Sequence, residues 1–151
     1  MDNKIEIVEI KLEDYSMLKD ILQEQQLFHF NLNGPYKERF LEINEKNFQE
    51  YMSRKYKSIT LAGIIEDKII GFTSAYINKH NEAFIEDLFV NDEYRNNLIG
   101  TELLKELLNW LKDNNANTID VHISIGNEKV LDFYKKFGFK LTGYTMKIKE
   151  E

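Results

Sequence analysis

The sequence predicts an α+β (mixed α/β) fold in one domain, residues 1–151, with a central mixed, mostly antiparallel sheet and helices on both its faces. Segments 58–66, 68–78 and 82–90 are rich in β-branched and aromatic residues and follow one another across short turns, which makes them antiparallel neighbours. Past Val90 the periodicity changes to that of a helix, then to strand, helix and strand again. With 1 proline, 7 glycines and no internal repeat, nothing divides the chain into separate units.

Ile5, Ile7, Val8 and Ile10 stand among charged neighbours and predict a first strand. A helix follows, with Asp14 placed to cap it and Met17, Leu18, Ile21 and Leu22 spaced as its buried stripe. Residues 26–40 mix aromatics with His29, Asn31, Asn33, Gly34 and Pro35, and read as an irregular loop or broken helix that frames a pocket. Residues 41–55 are helical in pattern, with Phe48, Tyr51 and Met52 on a short apolar face. After the three strands, Ile99, Leu103, Leu107 and Leu111 recur every fourth residue beside Leu104 and Leu108, a long helix ending near Asn114. Residues 118–125 set Ile119, Val121, Ile123 and Ile125 against Asp120, His122 and Ser124, as in a strand with one buried face. Asn127 is placed to cap a last helix that carries Val130, Phe133, Tyr134 and Phe137 on one face and stops at Gly138. Residues 139–149 read as a final extended strand.

Composition narrows the function. A chain that is 42% hydrophobic and 13% aromatic folds around a core rather than remaining disordered. The absence of cysteine excludes disulfides, thiolate metal sites and a cysteine nucleophile. The N-terminus lacks an apolar leader and no apolar run is long enough to span a bilayer, so a cytoplasmic protein without a membrane partner is expected. A net charge of -6 argues against a nucleic-acid partner and suits a small cationic one. His29, His80 and His122 have no metal-ligand spacing, and no metal is expected.

The run most informative about chemistry is IEDLFV at 85–90, NDEYRNNLIGT at 91–101 and then the long helix. The first N–H groups of a helix have no intrahelical partner, and with the helix dipole they form an anion site that suits a pyrophosphate. Read alone, such strand-to-helix turns mostly bind nothing.

YRNNLIG, however, resembles the R/Q-x-x-G-x-G/A loop of the GNAT superfamily of N-acetyltransferases, and NEKVLDFYKKFGF at 127–139 resembles that superfamily's N-x-x-x-x-x-x-Y-x-x-x-G-F helix. The motifs stand in the superfamily's order, with one helix and one strand between them, and the resemblance covers residues 59–139. It implies the GNAT-like acyl-CoA N-acyltransferase fold and an enzyme that uses acetyl-CoA as cosubstrate. It further implies that amides of Arg95, Asn96, Asn97, Leu98, Ile99, Gly100 and Thr101 hold the pyrophosphate. The backbone of Leu88, Phe89 and Val90 would pair with the pantetheine arm where two parallel strands splay, with Asn127 close by. Leu98 departs from the pattern by standing where the first glycine is usual, which puts close approach to phosphate in question.

Tyr134 matches the tyrosine that gives a proton to the departing coenzyme A thiolate; without the match it reads as one more core aromatic. A phenol with pKa about 10 can supply that proton to a thiolate whose conjugate acid lies near 8.5. The attacking group is the acceptor's own primary amine, acting directly in a ternary complex. With a pKa near 10.4 the amine is mostly protonated at neutral pH, so a carboxylate must relieve it of a proton. Glu86 and Asp87 lie beside the expected acetyl position; strand alternation sends them to opposite faces, and Glu86 is the expected acceptor. Asp87, His29 and Tyr36 are assigned to the acceptor's pocket. EDLFV is similar to a strand of the diamine and polyamine acetyltransferases, which makes a polyamine one candidate substrate. A peptide or protein N-acetyltransferase and a non-catalytic acyl-CoA sensor are the alternatives. Members are often dimers, so a homodimer is expected, with YTMKIKE able to add a strand across the interface.

Overall fold

The computed structural model describes residues 4–95 and 98–150. Strand β1 (Glu6–Glu9) is the short edge of a five-stranded sheet in the order β1-β2-β3-β4-β5. β2 (Lys57–Ile65), β3 (Lys68–Ile77) and β4 (Glu82–Val90) form an antiparallel meander, as their spacing predicts. The turn between β2 and β3 places Glu66 and Asp67 at φ 50° and 63°, the left-handed conformations that a tight hairpin between twisted strands requires. At the next turn Asn78 Oδ1 accepts the amides of His80 and Glu82 at 2.9 and 3.0 Å. β5 (Thr118–Val121) runs parallel to β4, with Glu82–Ile85 opposite Thr118–Val121.

Each sheet face has its own core. Helix α3 (Ile99–Asp113) buries Ile99, Leu103, Leu104, Leu107 and Leu111 against one face together with Ile59, Ile70, Ile77 and Ile85. Helices α1 (Lys19–Asn31) and α2 (Glu45–Ser53) cover the other through Leu18, Ile21, Leu22, Phe48 and Met52 on Ala62, Phe72 and Phe89. The short helix α4 (Leu131–Lys135) joins the α3 side, with Tyr134 buried and Gly138 at φ 96° ending the segment as predicted.

Several expectations change. Asp14 caps nothing: a 3-10 segment at Leu12–Leu18 leads into α1, and Met17 stays 54% exposed. The segment expected to be irregular is helical as far as Asn31, because Gln25, Phe28 and His29 continue the inward row begun by Ile21 and Leu22. α2 starts at Glu45 rather than at 41. There Asn44 and Asn47 form a reciprocal capping box, Asn44 Oδ1 accepting from the Lys46 and Asn47 amides at 3.0 Å. β5 ends at Val121 instead of 125, and the last helix is a 3-10 turn (Glu128–Val130) followed by α4. Asn127 begins that turn without making a capping bond. Residues 139–149 join no strand; Phe139 packs on Tyr134 at a ring separation of 5.5 Å, whereas Tyr144, Met146 and Ile148 beyond it are exposed. Among the described residues no helix is long and apolar enough to cross a membrane.

Candidate active site

The site originates in a count of residues along β4. Ala75 pairs with Ile85 and the next β3 residue, Ser74, pairs with Asp87, so Glu86 is an extra residue, a β-bulge. A bulge bends its strand and breaks the alternation of side chains. β4 accordingly leaves β5: the parallel ladder ends at Ile85 and Val121, while β4 continues to Val90 with its β5-side edge free. A cleft opens there, lined by Gln25 and His29 of α1, residues 85–88 of β4, residues 121–124 after β5, and Asn127, Val130 and Tyr134.

The bulge also overturns the expectation that Glu86 and Asp87 face opposite sides. Both turn towards the face covered by α1 and α2: Tyr51 Oη of α2 donates to Glu86 Oε1 at 3.0 Å, and Gln25 Nε2 of α1 donates to Asp87 Oδ1 at 2.9 Å. Their environments differ. Glu86 is exposed, whereas the Asp87 carboxyl is turned inward, its Oδ2 accepting from the fully buried Ser74 Oγ at 2.7 Å. Burial pushes Asp87 from an ordinary 3.8 up to about 6; the Ser74 and Gln25 bonds act in the opposite direction and Glu86's charge adds to the rise. Asp87 is thus an ionised, readily protonated carboxylate at neutral pH.

Tyr134 is 7% exposed, wedged against Phe133 and Phe139 at ring separations of 5.2 and 5.5 Å. Burial raises its pKa and the Asp87 charge raises it further, so the phenol keeps its proton at neutral pH. His29 stacks on Phe40 at 5.0 Å, and burial, helped by Arg39, lowers its pKa. Among the described residues the buried side-chain polar atoms without a hydrogen-bond partner are His29 Nδ1 and Asn127 Oδ1, and both residues line the cleft. Buried polar atoms are rarely left unpaired in the absence of a ligand.

At the start of α3, the backbone of Leu98 takes the left-handed conformation, φ 62° and ψ 12°, with 69% of the residue exposed. A glycine is usual there for its backbone freedom, and Leu98 adopts the same shape at about 1–2 kcal/mol. The first helical bond of α3 runs from the Glu102 amide to the Leu98 carbonyl at 3.0 Å, which leaves the amides of Ile99, Gly100 and Thr101 without intrahelical partners. A Cβ on Gly100 would meet Phe133 and Val90 at an ordinary 3.8 Å, so packing within the chain does not demand a glycine at this position. Asn96 and Asn97 lie outside the described residues.

Arg95 does not extend into the cleft. Its guanidinium lies over Phe28 and Phe89 at 4.7 and 5.2 Å, Nε donates to the Val90 carbonyl at 3.0 Å, and Asp92 accepts another N–H at 3.1 Å. The Val90 carbonyl is thus engaged by Arg95, which anchors the loop. Phe89 points into the α1 side of the core, while Leu88 lines the cleft. Tyr36 is not on the cleft wall; its hydroxyl accepts the Lys149 amide at 3.1 Å and donates to the Lys147 carbonyl at 3.4 Å. Sequence reasoning missed Gln25 and Ser74, which orient the key carboxylate; a buried polar position in each of two otherwise apolar elements was the available signal.

The cleft thus combines a strand edge freed by a bulge, the Asp87 carboxylate and the Tyr134 phenol, and past the end of β4 lie the helix amides of α3 without intrahelical partners. The chain belongs to the acetyltransferase (GNAT) family, whose model matches residues 17–139, and it is an acetyl-CoA-dependent N-acetyltransferase. It is similar to N-alpha-acetyltransferase 50 of Danio rerio, 26% identical over 145 residues that cover 93% of this chain and 77% of that protein. Its fold matches the PaiA N-acetyltransferase of Thermoplasma acidophilum in complex with coenzyme A, with TM-score 0.79, 22% identity and 94% and 93% of the two chains covered. It also matches an aminoglycoside acetyltransferase from an uncultured soil metagenomic sample, with TM-score 0.75, 20% identity and 98% and 99% covered.

Proposed function

We propose that the chain acetylates a primary amine of a small cationic molecule, with Asp87 receiving the amine's proton and Tyr134 protonating the departing sulfur. Bound acetyl-CoA supplies the activated acetyl carbonyl, and the chain's own groups fit that carrier. Asn127 Oδ1 offers an unused acceptor, the β4 edge at Leu88 offers backbone, and the amides of Ile99, Gly100 and Thr101 offer donors to phosphate. The observation that carries the reading is that, among the described residues, the unpartnered buried polar atoms share one cleft with Asp87 and Tyr134.

Asp87 displaces Glu86 as the proton acceptor. A carboxylate with pKa about 6 accepts a proton far more readily than one near 4, yet remains charged at pH 7. The paired groups also act in sequence. Once Asp87 has taken the amine's proton, the charge that helped to raise the Tyr134 pKa is gone, and the phenol becomes a better acid as the sulfur leaves. Neutral His29, with Nδ1 unpaired, is placed to orient the acceptor.

The net charge of -6 favours cationic acceptors by long-range attraction. Dependence on acetyl-CoA supports a cytoplasmic location. For assembly, the alternating exposed Tyr144, Met146 and Ile148 at 90%, 96% and 85% and the free edge of β5 support a homodimer in which the tail of one copy pairs with β5 of the other.

A calorimetric titration with acetyl-CoA, followed by an acceptor panel of diamines, spermidine, amino sugars and free-N-terminus peptides, tests the reading. Binding is expected, and Gly100→Ala is expected to weaken it about tenfold or more while raising stability by up to about 1 kcal/mol, since only a ligand needs that space. No heat with millimolar ligand would end the assignment. Binding without turnover of any amine would favour an acyl-CoA sensor, and turnover of peptides alone would move the acceptor from small cations to protein N-termini.

A further inference from the structure

On the far side of Glu86 from the main cleft wall, the surface carries an aromatic cluster with a cation already seated on it. Tyr76 of β3 stacks on its cross-strand partner Phe84 at a ring separation of 5.1 Å, and Tyr51 of α2 meets Tyr76 edge-on at 6.3 Å. The Lys55 ammonium lies 4.0 Å from the Tyr51 ring centre and 4.2 Å from that of Tyr76. Tyr51 Oη bonds to Glu86, which itself lines the cleft. Two electron-rich ring faces and an adjacent carboxylate form the usual receptor for an alkylammonium, and Lys55 is one.

The cluster does not require Lys55 for its construction. Tyr76 and Phe84 are held by strand register and Tyr51 by the helix that also buries Phe48 and Met52. Lys55 makes no ion pair among the described residues. Because the bulge brings Glu86 and Asp87, consecutive residues, to the same sheet face, the carboxylate of this receptor is the chain neighbour of the carboxylate that takes the amine proton.

We propose that Tyr51, Tyr76 and Glu86 form a subsite for a second ammonium of the acceptor, held in its absence by the chain's own Lys55, which an entering diamine displaces. This rests on the acetyltransferase reading above and adds to it a substrate class: alkyl diamines or oligoamines whose second cation is separated from the reacting amine by a short chain. Lys55 then acts as a built-in competitor that a monoamine never has to displace.

The test compares 1,4-diaminobutane with n-butylamine as acceptors, as the ratio of kcat/KM values measured on one preparation, so that the amount of folded enzyme cancels. Tyr76→Leu is expected to lower the diamine-to-monoamine ratio about three- to tenfold, the loss of one ring face for the second cation. Lys55→Met keeps the stem and removes the charge, and is expected to raise the ratio by a similar factor, mainly through a lower KM for the diamine. A ratio unchanged in both variants, or lowered by Lys55→Met, overturns the subsite. So does a wild-type enzyme that binds acetyl-CoA and acetylates peptides but neither amine, a result that leaves the acetyltransferase reading standing. Failure to bind acetyl-CoA at all would remove both.

Discussion

Replacing Asp87 by asparagine is expected to lower turnover by about 10²- to 10⁴-fold, the usual range for removing a proton-transfer group, while making the protein more stable at neutral pH. The opposite signs have one origin. Burial favours the neutral carboxyl, so the folded pKa of about 6 lies above the ordinary 3.8. A group raised in this way contributes its stabilisation fully below about pH 4 and loses it as pH rises through about 6. At pH 7.5 the native protein therefore carries an ionised carboxylate that the fold disfavours by about 3 kcal/mol at most, the equivalent of the span from 3.8 to about 6. The asparagine amide can still meet Gln25 and Ser74 without that charge. Calorimetric melting at pH 7.5 should show Asp87→Asn the more stable by several degrees, and the difference should vanish near pH 4. A variant less stable at pH 7.5 would mean that the hydrogen bonds, not the buried charge, dominate at this position.

Tyr134→Phe should reduce kcat by about 10²- to 10⁴-fold and leave acetyl-CoA affinity unchanged. The hydroxyl acts on the departing sulfur rather than on the bound thioester, and the remaining ring keeps its edge contacts with Phe133 and Phe139. Single-turnover kinetics alongside the titration separate the effects. An unchanged chemical step would return Tyr134 to a packing role, and weakened binding with unchanged chemistry would make it a cofactor contact.

The meander and the long amphipathic α3 were legible because each repeats one periodicity for long enough to name its element, whereas the five-residue α4 was legible through its motif. Reading failed where the outcome depends on a partner. Residues 82–90 set two adjacent carboxylates between apolar triplets, and only the register against β3, one residue shorter at Ser74 and Ala75, reveals that Glu86 is extra. A single strand cannot announce its own bulge, so the two carboxylates were assigned to opposite faces and the choice between them went to Glu86. The same limit applies at the C-terminus, where Tyr144, Met146 and Ile148 have the spacing of one strand face but pair with no strand of the chain. His29 and Asn31 make the end of α1 read as loop, His29 because it faces a polar cleft rather than apolar core. The start of α2 was legible in principle, since Asn44 and Asn47 have capping-box spacing, but the apolar residues before them drew the boundary early.

The most direct test of the account is the pH dependence of kcat/KM for a simple alkylamine, in the wild type and in Asp87→Asn. Titration of the amine alone gives a line of unit slope up to about pH 10. With Asp87 taking the proton of the incoming ammonium, the wild-type profile should level off between about pH 6 and 10 and fall with unit slope only below about 6, whereas the asparagine variant, which must capture the free amine, should keep unit slope throughout at a much lower rate. The same level region in both proteins, or in neither, would contradict the assignment of Asp87.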